Sequence, residues 1–266
     1  MKYNFLQIFY WMAICSMYGF AAIFLSSKGL TNTEIGAAAG GACILSIPFS
    51  PILSSVSMKY NRISLQKYLA AGMLFSAVTY LIMALIPIPS AVMIVMYMVS
   101  CCVGMSLVSF LSQISMDYIE EGHKLSFGLA RGLGSISYAT SAVLFAQAAA
   151  RINPSVLAAL FTAAAIAFNI LLFRTKPVYA SAAKENEKGG TLMGCITGYP
   201  IYFVILIGFA FVFAAAAALS TYLINIIENH GGSESLYGIA VFCMAASEMP
   251  VMAAADKLIK RFGSMK

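Results

Sequence analysis

The sequence predicts an all-α integral membrane protein, and three observations carry that reading. Of its 266 residues 61% are apolar and only 10% charged, with a mean hydropathy of +0.87, against roughly half apolar and a quarter charged in a soluble domain. The charges are crowded into short stretches, and the uncharged runs between them are long enough to cross a bilayer as helices, for which about 20 residues suffice. The bases, finally, fall almost wholly into alternate loops. Charge so confined excludes a disordered tail, a coiled coil and a nucleic-acid partner, each of which needs charge spread along its surface.

Reading from one charge to the next places eight spans, at roughly 5–27, 35–57, 67–86, 90–116, 127–150, 153–174, 199–226 and 235–258. The first is too long, and its flanks are wrong, for a cleaved signal peptide. Spans three and four are separated at Pro87-Ile88-Pro89, because two prolines in three residues cannot sit inside a regular helix. The seventh starts near Pro200 and the eighth carries a single Glu248. The longest polar stretch, from Arg174 to Gly194 with Lys184-Glu185-Asn186-Glu187-Lys188, reads as a linker on composition. The expected organisation is therefore a six-helix bundle over 1–174, a linker over 175–196, and a partial second bundle, helices 7 and 8, over 197–266.

Orientation follows from the bases. With the N-terminus inside, fourteen of the sixteen lie on the inner side and only Lys28 and Arg151 outside, which predicts a multi-pass protein of the cytoplasmic membrane with both termini cytoplasmic. The outer connections, Ser26 to Glu34, Pro87 to Pro89, Arg151 to Asn153 and Glu228 to Glu234, are short, as in helical hairpins. Six cysteines, at 15, 43, 101, 102, 195 and 243, form no CxxC pair and have no histidine beside them, so they read as small buried hydrophobes. No Walker, HExxH or GxGxxG motif is present, and no metal or other cofactor is expected.

The sequence also repeats itself. At an offset of 202, Ile35-Gly36 falls under Tyr237-Gly238, Pro48 under Pro250, and Lys59-Tyr60-Asn61 under Arg261-Phe262-Gly263. A period of six helices marks the two parallel halves of a secondary transporter.

On these residues the chain resembles the major facilitator superfamily, whose members carry a G-x-x-x-D-R/K-x-G-R-R/K signature in the inner loop between helices 2 and 3. Ser54-Ser55-Val56-Ser57-Met58-Lys59-Tyr60-Asn61-Arg62 holds that place here, and Asp256-Lys257-Leu258-Ile259-Lys260-Arg261-Phe262-Gly263 holds it in the second half. Met58 and Lys260 stand where the family has its aspartate; the basic positions Lys59, Arg62, Lys260 and Arg261 remain as the gate loops. A closer resemblance runs through Met116-Asp117-Tyr118-Ile119-Glu120 and Phe127-Gly128-Leu129-Ala130-Arg131-Gly132-Leu133-Gly134, which look like helices 4 and 5 of the lactose-permease-like branch of oligosaccharide, nucleoside and phenylpropionate proton symporters. Ala246-Ser247-Glu248-Met249-Pro250-Val251 is similar to helix 8 of that branch. The resemblance implies a transporter, not an enzyme, and four further helices, 9–12, beyond Lys266.

Charge inside a bilayer costs about 2.5–3.5 kcal/mol on insertion scales, so the few such residues are candidates for function. Asp117 and Arg131 flank one inner loop, and on adjacent antiparallel helices they would lie at similar depth, able to pair when empty and to share a solute's hydroxyl or carboxylate when full. Both are expected to bind substrate; a structural ion pair is the plainer alternative. Glu248 has no obvious base among the other spans, and a carboxyl so desolvated is neutral by preference and can exchange a proton as access alternates; a base on helices 9–12 is the alternative. Tyr10, Trp11, Tyr18 and Phe20 on the first span could line a cavity, with Tyr10 and Trp11 placed near the inner interfacial belt. The glycines at 128, 132 and 134 read first as helix packing. The expected function is secondary active transport of a small organic solute, with protons as a second partner and the lipid bilayer as surroundings. The competing reading is a truncated, non-transporting remnant, or a module that assembles with a separate chain.

Overall fold

The computed structural model describes residues 2–122, 125–179, 197–233, 235–244 and 246–247, and every named element in it is helical. Seven of the eight expected spans have helical counterparts among the described residues, and the eighth has its first part there. Span 1 is the helix Lys2–Ile14, a π turn over Cys15–Gly19 and a short helix Ala21–Ser27, bent by 50° at the break. Span 2 is Asn32–Lys59, span 3 Leu65–Leu85, span 4 Ser90–Glu120, span 5 Phe127–Arg151, span 6 Val156–Leu172, span 7 Pro200–Asn229, and span 8 begins as Ser235–Met244. Five of these are single helices long and apolar enough to cross a membrane, and the bent pair of span 1 makes a sixth. Span 6 has 17 residues, at the short end of what crosses a bilayer.

Local chemistry explains the ends. Thr31 and Glu34 form a reciprocal capping box at the start of span 2, the Thr31 N–H donating to Glu34 Oε2 at 2.8 Å, which accounts for an acid beside a membrane span. Ser126 accepts from the Leu129 N–H at 3.2 Å to cap span 5. Gly29, Gly122 and Gly231 follow spans 1, 4 and 7 with φ of +86°, +83° and +78°, the left-handed conformation that closes a helix. Lys28 and Arg151, the two bases on the short-loop side, both sit at helix C-termini: Lys28 Nζ donates to the Ala84 carbonyl at 2.6 Å in the last turn of span 3, and Arg151 ends span 5. The negative end of the helix dipole holds each of them.

Span 1 runs through the middle of the first six spans. On one side Tyr3 Oη donates to the Leu111 carbonyl at 2.9 Å and Tyr10 Oη to the Gly104 carbonyl at 2.7 Å, both in span 4. On another Ser137 Oγ of span 5 donates to the Ile8 carbonyl at 2.8 Å, and Ser16 Oγ donates to the Leu157 carbonyl of span 6 at 2.6 Å. Span 5 packs chiefly on span 1, whereas span 4 packs on spans 2 and 3. Spans 4 and 5 are therefore not the side-by-side neighbours expected from their shared loop, because span 1 is wedged between them.

Past span 6 the chain does not leave the bundle at once. Gln66, at the start of span 3, donates to the Lys176 carbonyl at 2.7 Å and accepts from the Val178 N–H at 2.9 Å, and the Leu65 N–H donates to the Val178 carbonyl at 2.8 Å. Tyr118 Oη donates to the same Lys176 carbonyl at 2.8 Å, and Lys176 pairs with Glu121 at 2.9 Å. The first residues of the expected linker are thus strapped to spans 3 and 4; positions 180–196 lie outside the described residues.

Candidate functional site

A cavity of about 350 Å³ lies between the first six spans and spans 7 and 8. Its first wall is Trp11, Ile14, Tyr18 and Gly19 of span 1, Met105 of span 4, and Arg131, Ser135 and Tyr138 of span 5. The opposite wall comes from Phe213 to Leu223 of span 7 and from Tyr237, Val241 and Met244 of span 8. Aromatic and aliphatic surface dominates, and the polar groups are few: the Arg131 guanidinium and the hydroxyls of Ser135, Ser220 and Thr221 among them.

Arg131 lies over the ring of Trp11. Its Cζ is 4.0 Å from the indole centroid, and Nη1 donates to Ser135 Oγ one turn along at 3.2 Å. A cation over an indole face gains about 0.5–2 kcal/mol, more as water is removed, so the guanidinium is held at the cavity wall. The indole is itself fixed. Trp11 Nε1 donates to Gln7 Oε1 at 2.9 Å, Gln7 Nε2 to Tyr3 Oη at 2.6 Å, and Tyr3 Oη to the Leu111 carbonyl. This relay uses residues 3, 7 and 11, one face of span 1 at steps of four, and ties the cavity to span 4. Gly134 makes room for it: a Cβ there would meet Trp11 Nε1 at 3.0 Å and Cγ at 3.2 Å.

The other candidates are placed as follows. Asp117 is half-buried in the last turns of span 4, does not line the cavity, and no ion pair joins it to Arg131 among the described residues. Among the described residues, the carboxylates of Glu120 and Glu121 act on it. Lys59 and Arg62 are exposed at the base-rich end, Lys59 Nζ 5.8 Å from the Tyr60 ring centroid. Glu248, Lys260 and Arg261 lie outside the described residues. Tyr10 is fully buried and Trp11 is a cavity wall, so neither is a belt residue. Cys43 and Cys243 are exposed rather than buried, while Cys15, Cys101 and Cys102 are buried. Among the described residues no group of His, Cys, Asp or Glu is arranged to hold a metal.

The repeat has a physical counterpart. Both repeated glycines lie at contacts between the first six spans and spans 7 and 8: the Tyr222 hydroxyl of span 7 abuts Gly36, and a Cβ on Gly238 of span 8 would meet Ala146 Cβ at 2.7 Å and the Ala142 carbonyl at 2.9 Å in span 5. Asn225 Nδ2 of span 7 donates to Asn32 Oδ1 of span 2 at 3.1 Å nearby. These contacts gather at the short-loop end.

A family model described as the MFS_1 like family matches residues 1–266. Comparison with curated proteins and with solved structures gives no match. The family match spans the whole sequence of an all-helical membrane protein whose two parts enclose a cavity: the chain belongs to the MFS_1 like family, transporters of the major facilitator kind.

Proposed function

We propose that the protein is a secondary active carrier that moves a small organic solute across the cytoplasmic membrane by alternating access, coupled to protons, as in the lactose-permease-like branch it resembles. The observation that carries this reading is the cavity walled by both parts of the chain, with Arg131 laid on Trp11 inside it. Its 350 Å³ is in the range of small-ligand pockets, about 300–1,000 Å³. Its chemistry, one oriented cation and several hydroxyls in an aromatic wall, suits an amphipathic solute with hydroxyl or carboxylate groups. Arg131 binds that solute, and Asp117, nearer the base-rich end, meets it on the way in or out. Lys59 and Arg62, with Lys260 and Arg261, form the gate loops of that end.

With the base-rich end cytoplasmic, the contacts at Asn32, Gly36 and Gly238 close the outer side, and the cavity is reached from the cytoplasm. The carboxyl of Glu248 is the proton carrier. Tyr237, Val241 and Met244 line the cavity, and position 248 follows them in sequence at the next step of four, the spacing of one helical stripe. Span 7 exposes Ile201, Val204 and Phe211, a face suited to lipid or to further helices of the family pattern.

Trp11 is the only tryptophan in the chain, so binding is read from its fluorescence in the purified protein. Hydroxylated and carboxylated solutes are screened for a saturable change, and those that bind are tested for uptake into vesicles with an imposed pH gradient. Arg131→Gln loses the change; Glu248→Gln still exchanges solute but no longer concentrates it. Uptake no faster than in protein-free vesicles for every solute that binds would remove the carrier reading, and undiminished accumulation by Glu248→Gln would remove the proton assignment.

A further inference from the structure

Span 1 breaks in mid-membrane, and the break is held by three tyrosines from three other spans. The π turn Cys15–Gly19 and the 50° bend after it interrupt the regular α-helical ladder, and the bilayer core supplies no water for carbonyls at such a break. Tyr80 Oη of span 3 donates to the Ser16 carbonyl at 3.2 Å, and Tyr97 Oη of span 4 to the Met17 carbonyl at 2.8 Å. Tyr237 Oη of span 8 donates to the Gly19 carbonyl. The first two belong to the same six spans as the break. Tyr237 alone reaches across from the second part of the chain.

Its setting is built for that contact. The Tyr237 ring stands edge-on to Phe20, centroids 5.3 Å apart at 84°, and Gly238 next to it brings the span 8 backbone against span 5. Gly19 is glycine for a steric reason, since a Cβ there would lie 2.5 Å from Tyr138 Oη. Gly19 and Tyr237 both line the cavity.

We propose that the Tyr237 hydroxyl on the Gly19 carbonyl is the latch that keeps the short-loop end of the cavity shut. The inference rests on the alternating-access reading above. When the two parts separate at that end, Tyr237 leaves with span 8 and water entering the widened cleft takes over the carbonyl. While they are together, Tyr237 is its donor. The bond therefore stabilises the closed state by the difference between a tyrosine and water at one acceptor, whereas the bonds of Tyr80 and Tyr97 are the same in both states and do not bias the equilibrium.

Tyr237→Phe keeps the ring against Phe20 and removes only the donor. Ser220→Cys on the cavity wall, in a full chain otherwise free of cysteine, is labelled with an impermeant maleimide from the short-loop side of sealed membranes. Tyr237→Phe raises the labelling rate about tenfold, the equivalent of one buried hydrogen bond at about 1.4 kcal/mol per decade. Tyr80→Phe and Tyr97→Phe leave it unchanged. A rate within twofold of the parent for Tyr237→Phe, or an equal rise for Tyr97→Phe, overturns the latch. Trp11 emission checks that each variant is folded. Labelling and uptake separate the two ideas: a protein that labels as expected yet carries no solute loses the carrier reading and keeps the latch, and one that carries solute while Tyr237→Phe labels like the parent loses only the latch.

Discussion

Placing a methyl group at Gly134 should dislodge the aromatic floor of the cavity while leaving the bundle folded. The added Cβ would collide with Trp11 Cδ1 and lie 3.0 Å from Nε1 and 3.2 Å from Cγ, whereas carbon contacts are at ease near 3.5–4.0 Å, so the indole must retreat by roughly 1–1.5 Å. Two attachments resist: the bond to Gln7 at 2.9 Å and the guanidinium at 4.0 Å from the ring centroid. Losing them costs about 0.5–1.5 kcal/mol for the hydrogen bond and about 0.5–2 kcal/mol for the cation–π contact. A loss of about 1–3 kcal/mol corresponds to roughly 5- to 150-fold weaker binding of a solute that needs Arg131 in its present posture. Thermal stability is a poor readout here, because Gly→Ala inside a helix gains up to about 1 kcal/mol and offsets part of the loss. The emission maximum and iodide quenching of the single tryptophan are better. Gly134→Ala should shift the emission to the red and raise quenching, while Gly132→Ala, with nothing within 4 Å of its Cβ, should match the parent. Identical spectra for the two variants would refute the steric reasoning.

Three further outcomes are expected. Gln66→Leu removes two hydrogen bonds of the strap beneath span 3, at 2.7 and 2.9 Å, and should cost about 1–3 kcal/mol, seen as a lower thermal midpoint in detergent; an unchanged midpoint would mean the strap adds nothing. Because no ion pair joins Asp117 to Arg131 among the described residues, the binding losses of Asp117→Asn and Arg131→Gln should add to within about 0.5 kcal/mol in the double variant, and a coupling above 1 kcal/mol would argue for a paired site. Cysteines at Ser90 and Ser233 should react with an impermeant reagent from outside the cell and one at Ser181 should not; the reverse pattern would invert the topology.

The spans were legible because hydrophobic length is set by the bilayer, and the breaks at Pro87-Ile88-Pro89 and before Pro200 are local. Arg131 was legible as a candidate because charge in that setting is costly. Its partner was not. Sequence adjacency suggested Asp117 across one loop, but the helices on either side of that loop are parted by span 1, and what lies on the guanidinium is Trp11 from the far end of the chain. The steps of four among Tyr3, Gln7 and Trp11 were visible, yet periodicity alone does not say that a face is a hydrogen-bonded relay. The glycines show the same limit. Gly132 and Gly134 look alike in sequence, and only the second has an indole against it. Gly36 and Gly238 were aligned by the repeat, and packing supplies their reason, a close approach between the two parts of the molecule. The break in span 1 is marked in the sequence only by Gly19, one glycine among twenty, and its stability comes from tyrosines 64 to 218 residues away.

In the proposed alternating-access cycle the two parts of the chain separate at the short-loop end in every turnover. Asn32 and Asn225 meet there at 3.1 Å, so a cysteine at each position, in a chain otherwise free of cysteine, can be joined by oxidation or a short bifunctional reagent. With the bridge formed, vesicle uptake of the solute identified by Trp11 fluorescence should stop, while binding from the base-rich side persists, and reduction should restore uptake. Undiminished uptake through a protein shown to be fully cross-linked would contradict alternating access between these two parts.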